Sequence, residues 1–205
     1  GGGTPNAVSF SYLDEIISRI FGHFGLNERK NHNVEVAIEC DPSLLRKTAA
    51  KELADIGFNR ASIGVQDFNQ EVLGFVHRQT PLRSIPEHIQ EFRDAGFFSV
   101  NLDLICGLPG QNRVTFADTL QKTIEARPDR IACFGYAHIP NILGHQKKLD
   151  KHPFASQDER LMMNVDVHRE FTEAGYVAVG MDHYALPTDE LSKSLDTNTL
   201  GRNFQ

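Results

Sequence analysis

Apolar and polar residues alternate with period two in four short stretches: Val34–Cys40, Arg60–Gln66, Ser99–Ile105 and Arg130–Tyr136. That is the pattern of β-strands with one buried face. Helical spacing separates them. Ser9–Phe24 sets Tyr12, Ile16, Ile20 and Phe24 on one face, and Pro42–Ile56 carries Leu44, Leu45, Ala49 and Leu53 behind an Asp41 cap. Pro86–Ala95 and Thr115–Ala126 repeat the idea, and Asn69–Val76 is a shorter helical stretch. A strand and a helix recurring about every thirty residues predict a parallel α/β sheet or barrel.

The two faces of each strand differ. Val34, Val36, Ile38 and Cys40 lie opposite Glu35, Ala37 and Glu39; Ala61, Ile63 and Val65 lie opposite Ser62, Gly64 and Gln66; Val100, Leu102 and Leu104 lie opposite Asn101 and Asp103. The apolar sides suit covering helices. The other sides each end on a hydrogen-bonding residue near the strand's C-terminus: Glu39, Gln66, Asp103. A closed core would not accept that repetition without partners, whereas a hollow open at the C-terminal ends of the strands would. After Tyr136 the pattern fades into a polar loop. A helix follows over Ser156–Ala174, with Leu161, Met162, Val165 and Val167 expected in the core, and then a strand over Gly175–Met181. The tail from Leu186 to Gln205 is polar.

Composition narrows the classes little. The 205 residues are 40% hydrophobic and 23% charged, with a formal net charge of -6 that argues against a nucleic-acid partner. No apolar run reaches the length of a membrane span. Cys40, Cys106 and Cys133 are far apart and odd in number, which favours a reducing, cytoplasmic setting over a disulfide scaffold, and none lies at metal-cluster spacing from another. They read as small buried hydrophobes. Nine histidines show no zinc spacing, so no metal ligand is expected within this chain.

Five motifs, in order, carry a resemblance: "GGGTP" at Gly1–Pro5, "IECDP" at Ile38–Pro42, "GFNRASIGVQDFN" at Gly57–Asn69, "NLDLICGLPGQ" at Asn101–Gln111 and "YAHIP" at Tyr136–Pro140. Together they resemble the radical S-adenosylmethionine enzymes, and specifically the oxygen-independent coproporphyrinogen III oxidase family. "GYVAVGMDHYALPTDEL" at Gly175–Leu191 and "RNFQ" at Arg202–Gln205 match the same branch. The resemblance implies an α/β fold, a partial parallel (β/α) barrel incomplete at its N-terminus, with residues 1-150 as partial barrel and 151-205 as its end and the start of a linker.

It also implies the cofactors. A 4Fe-4S cluster would be held by a C-x-x-x-C-x-x-C loop expected ahead of Gly1, outside this chain, and S-adenosylmethionine would be the second cofactor. The implied S-adenosylmethionine contacts are Gly2, Gly3 and Thr4 in the glycine turn, Glu39, Gln66, Arg78, Asp103 and the backbone of Ala137; no catalytic residue is singled out. Gln66 and Asp103 suit a ribose diol, and Arg78 suits a carboxylate. The implied reaction is removal of CO₂ from propionates of coproporphyrinogen III, initiated by a 5′-deoxyadenosyl radical, by a monomer fed by an electron donor. The chain alone is expected to be inactive. A haem-binding chaperone on the same barrel is the alternative, disfavoured by Met181-Asp182-His183 and RNFQ. A phosphate-binding barrel ranks lowest, because Glu39, Asp103 and Asp67, read together as a carboxylate trio, would repel such an anion. The turn Gly107-Leu108-Pro109-Gly110 is expected to shape the chain and bind nothing.

Overall fold

The computed structural model describes residues 3–26 and 34–199. In chain order it runs α1 (Phe10–His23), β1 (Ala37–Cys40), α2 (Ala49–Ile56), β2 (Arg60–Gln66), α3 (Gln70–Phe75), α4 (Ile85–Asp94), β3 (Ser99–Cys106), α5 (Arg113–Ala126), β4 (Arg130–Gly135), α6 (Gln157–Glu173), β5 (Val177–Gly180), β6 (His183–Ala185) and α7 (Glu190–Asp196). The strands form an open six-stranded sheet in the order β1-β2-β3-β4-β6-β5. The first four keep their chain order, with helices between them, as a βα succession requires. β1 and β2 are parallel, with Glu39 opposite Ser62. Two compact units share the chain. One takes the residues up to Gly64 with Pro81–Asn101; the other takes Val65–Thr80 with the residues from Leu102 onward.

The strand faces divide as the alternation predicts. Ala61, Ile63, Val100, Leu102 and Leu104 are buried, while Ser62, Gly64, Asn101 and Asp103 are half-exposed. Within the first unit the open face is tied by Asn101 Nδ2, which donates to Ser62 Oγ at 2.8 Å. The helices begin where local chemistry permits. Ser84 and Glu87 form a reciprocal capping box ahead of α4, Asn112 caps α5, and the Ser156 hydroxyl accepts from Glu159 N ahead of α6. Arg130 of β4 reaches the cap of α7, donating from Nε to Asp189 Oδ1 at 2.8 Å, with both side chains largely buried.

Several expectations are corrected. The helix expected over Pro42–Ile56 is broken: Pro42–Leu44 is a 3-10 turn capped by Asp41, and α2 starts only at Ala49, leaving Leu44 exposed. The first strand starts at Ala37, and the residues before it are held partly by a side chain, with Val36 O also accepting from Asn59 N and Arg60 N. Asn59 Nδ2 donates to Val34 O at 2.8 Å, and Asn59 Oδ1 accepts from Val36 N at 2.9 Å. In α1 the core face is Leu13, Ile17 and Phe21, and the Tyr12, Ile16, Ile20 and Phe24 face is exposed. α6 likewise buries Met163, Val167 and Phe171 and exposes Leu161, Met162 and Val165. A helix with two apolar stripes gives periodicity alone no means of choosing between them. The end of the sheet is antiparallel, since β5 and β6 form a hairpin and β6 pairs with β4. The tail read as polar contains α7.

His88 is the one buried histidine among the described residues. Arg83 Nη2 lies 3.4 Å from its Nδ1, and Arg83 is ion-paired with Glu91. The guanidinium donates to Nδ1, so the ring proton sits on Nε2, which is buried without a partner. Burial, and then the Arg83 charge, lower the His88 pKa, with Glu91 and Glu87 opposing. The unfolded chain therefore takes up this proton first. The His88 contribution to stability is whole above the ordinary value of about 6.5 and is lost as the pH falls through it. The urea midpoint should decline between about pH 7.5 and 5.5 and decline less in His88→Gln; equal slopes would exclude His88 as the source.

Candidate active site

At the C-terminal ends of β2, β3 and β4, the second unit opens a cleft of about 310 Å³. Gln66 closes β2 and lines the cleft, held at a φ of 65°. Ile105 and Leu108 line it from the end of β3, and Tyr136 from the residue after β4. Asp103 lies two residues before Ile105 on the same face of β3 and is half-exposed. Past α3 the chain enters the left-handed region at His77, with φ 57°, and presents Arg78 to the same cleft. Arg78 N donates to Leu73 O at 2.9 Å, which fixes the base of that side chain. The fourth wall is a 3-10 turn, Gly144–Leu149, bringing His145, Gln146 and Lys148.

That turn is anchored by Gln146, which is buried. Its Oε1 accepts from Ile139 N at 2.6 Å, and its Nε2 donates to Ala137 O at 3.0 Å. The amide thus holds the loop after β4 in shape, and the Ala137 carbonyl is already engaged. Gln146 was not singled out in the sequence, because a glutamine inside a polar loop carries no pattern. Behind the loop, His138 Nε2 meets Asp150 Oδ1 at 2.7 Å and its ring packs on Phe154, with centroids 4.7 Å apart. Burial, and then the Asp150 charge, raise the Tyr136 pKa, so its phenol stays protonated as a donor.

In the first unit the glycine turn sits against the end of β1. Gly2 lies outside the described residues. Gly3, at φ 92°, and Thr4 are exposed, and Thr4 stands at the start of a 3-10 turn without using its hydroxyl as a cap. Asn6 makes the connection. Its Nδ2 donates to Asp41 O and its Oδ1 accepts from Asp41 N, both at 2.9 Å. The amide therefore grips the backbone two residues beyond Glu39, whose side chain is exposed. Asn6 was also missed, since a single asparagine after "GGGTP" reads only as turn chemistry.

A profile of the radical SAM superfamily matches residues 1–123. The chain belongs to that superfamily. It is 40% identical over 205 residues to the oxygen-independent coproporphyrinogen III oxidase of Synechocystis sp., covering all of this chain and 43% of that protein. To the enzyme of the same name from Escherichia coli it is 39% identical over 206 residues, covering 44% of that protein. The solved structure of the Escherichia coli coproporphyrinogen III oxidase, described as a radical SAM enzyme, superposes with a TM-score of 0.90 at 36% identity, over 99% of this chain and 46% of the other. The chain thus spans a little under half the length of the curated relatives it matches. An archaeal Elp3 from Methanocaldococcus infernus shares the fold, with a TM-score of 0.63 at 19% identity.

Superfamily members use an iron–sulfur cluster, yet the described residues contain no group of three or more His, Cys, Asp or Glu able to hold a metal. The three cysteines do not suit the task. All are buried, burial pushes the Cys40 and Cys106 thiols up to about 12, and Cys133 is raised well above its ordinary value. A protonated, inaccessible thiol is neither ligand nor nucleophile. Of the residues named for S-adenosylmethionine, Gln66 and Arg78 line one cleft and Asp103 lies on the strand face beside it. The Met181-Asp182-His183 stretch forms the β5–β6 hairpin. Met181 and Asp182 both have positive φ, His183 Nδ1 meets Met181 O at 2.6 Å, and Asp182 O accepts from Cys133 N.

Asp67 is corrected as a member of a carboxylate trio. It is 2% exposed and lies behind the cleft, where Thr119 Oγ1 donates to Oδ1 at 2.5 Å, Asn69 N donates to Oδ1 at 2.8 Å and Gln111 Nε2 donates to Oδ2. Gln111 in turn accepts through Oε1 from Gly107 N and Leu108 N at 2.6 and 2.9 Å. The Gly107–Gly110 turn is thereby fastened as the shaping element expected. Gly110 allows it, since a Cβ there would stand 2.6 Å from Phe75 Cε2 at a φ of 84°. Asp67→Ala would take the acceptor from Thr119 Oγ1 and Asn69 N and leave Gln111 Nε2 with Ile105 O alone, and should cost about 3 kcal/mol in urea denaturation. Asp67→Asn, which keeps one acceptor oxygen, should cost less; an unchanged midpoint in both variants would refute the network's structural role.

Proposed function

We propose that the complete protein removes CO₂ from propionate side chains of coproporphyrinogen III without oxygen, each propionate losing two electrons to S-adenosylmethionine as the oxidant and leaving a vinyl group, to give protoporphyrinogen IX. The observation that carries this reading is the 0.90 TM-score and 36% identity to the Escherichia coli oxidase over 99% of the chain. The whole-chain relatives also bear the oxidase name, which favours the reaction over haem carriage. No helix among the described residues is long and apolar enough to cross a membrane. Three free buried thiols accord with a reducing cytoplasm.

The cofactors of the reading are S-adenosylmethionine and a 4Fe-4S cluster, reduced by a separate electron donor. Together they supply a one-electron means of breaking an unactivated C–H bond. The residues of this chain bind and orient. Gly2, Gly3, Thr4 and Glu39 are assigned to the methionine end, where a glycine-rich backbone and a carboxylate suit an ammonium. Arg78 pairs with the methionine carboxylate, Gln66 and Asp103 engage the ribose hydroxyls, and the backbone at Ala137 meets the adenine. Ile105 and Leu108 give the cleft an apolar wall that limits water beside the nucleoside.

Anaerobic incubation of the complete, cluster-loaded protein with S-adenosylmethionine, a reductant and coproporphyrinogen III should yield protoporphyrinogen IX. Intact substrate with stoichiometric haem binding would instead favour the carrier. In the same protein, Arg78→Ala or Asp103→Ala should weaken S-adenosylmethionine binding by about thirtyfold, the loss of one charge-assisted partner at ~2 kcal/mol. Equilibrium dialysis measures this, and unchanged dissociation constants for both would reject the assignment.

A further inference from the structure

The charge of the cleft exceeds what its cofactor explains. Arg78, His77, His145 and Lys148 all line it, and none of its lining residues is an aspartate or glutamate. Two of them, Arg78 and Lys148, carry a fixed positive charge, in a chain of formal net charge -6. S-adenosylmethionine carries a sulfonium, an ammonium and one carboxylate, so it is a net cation. Its single carboxylate accounts for Arg78. A further fixed positive charge beside a net cation is unfavourable unless another anion enters with it.

The excess charge is also positioned. On a 3-10 turn, side chains three apart stand one above the other, so His145 and Lys148 share one edge of Gly144–Leu149. Gln146, between them, locks the turn to the backbone of Ala137 and Ile139. Lys148 forms no ion pair with any described residue, and the acid of the same segment, Asp150, is engaged by His138. Tyr136 lines the same cleft, while its hydroxyl is buried. An ammonium and an imidazole lining one space form a carboxylate-binding set.

We propose that Lys148, with His145, forms a second carboxylate subsite in the cleft, which anchors a propionate of the tetrapyrrole substrate. This rests on the reading under Proposed function, which supplies a substrate with four propionates. It adds the residues that recognise one of them and separates that contact from the methionine carboxylate at Arg78. Lys148 is exposed, so its replacement does not threaten folding.

The test uses the complete protein and coproporphyrin III, the stable oxidised form of the substrate, followed by fluorescence titration. Lys148→Met should weaken coproporphyrin III binding about tenfold, and Lys148→Arg should restore most of it. The tetramethyl ester, which has no carboxylates, should bind both proteins alike, and S-adenosylmethionine affinity should be unchanged in Lys148→Met. A loss confined to S-adenosylmethionine would assign the lysine to the methionine carboxylate and overturn the proposal. Wild-type binding of coproporphyrin III with an unmoved Lys148→Met variant overturns the subsite alone. A wild-type protein that binds S-adenosylmethionine but no porphyrin overturns the substrate reading and the subsite with it.

Discussion

Asp67 places a carboxylate in the interior of the second unit with three hydrogen-bond donors around it. An unmet carboxylate could not stay there, so the donors and the acid hold one another in position. Through Asn69 this pairing starts α3, through Thr119 it reaches α5, and through Gln111 it reaches the turn after β3. Two of those elements, and the strand that Asp67 follows, then deliver something to the cleft. α3 is followed by His77 and Arg78, β2 ends in Gln66, and the turn after β3 presents Leu108. The polar lining is set by a network that takes no part in lining it.

The strand faces show how the sheet separates support from recognition. Ile63, Val100 and Leu102 lie on the covered side and are fully buried. Ser62, Asn101 and Asp103, one residue away along the same strands, remain accessible. The period of two that fills a core on one side therefore leaves a row of hydrogen-bonding groups on the other. Gln66 and Asp103 occupy that row toward the C-terminal ends of their strands, Asp103 half-exposed and Gln66 nearly buried.

Much of this was legible beforehand, for identifiable reasons. β2 begins and ends where its alternation does, and α6 begins at the serine that caps it. Gln66 and Arg78 were named from motif position, and both line the cleft. The misreadings have a common origin in contacts between residues distant in sequence. α1 and α6 each carry two apolar stripes, and only packing reveals which is covered. Asp67 was read as one of an anion-repelling carboxylate trio because its partners Gln111 and Thr119 lie more than forty residues away. Asn6, Asn59 and Gln146 act by gripping backbone, a role that leaves no periodic trace. His145 and Lys148 sat in a stretch without pattern until the 3-10 turn aligned them.

The hairpin joining β5 to β6 turns on two residues, Met181 and Asp182, both on the left-handed side of backbone space. Asparagine and glycine ordinarily fill such a connection, because a longer side chain there raises the local energy by about 1–2 kcal/mol per residue. Stability is therefore withheld at this tip. An engineer seeking a hardier scaffold could recover it by grafting Asn-Gly into the turn. The same exchange would erase a protruding thioether and a carboxylate, making the tip a direct gauge of whether robustness and function compete in this sheet.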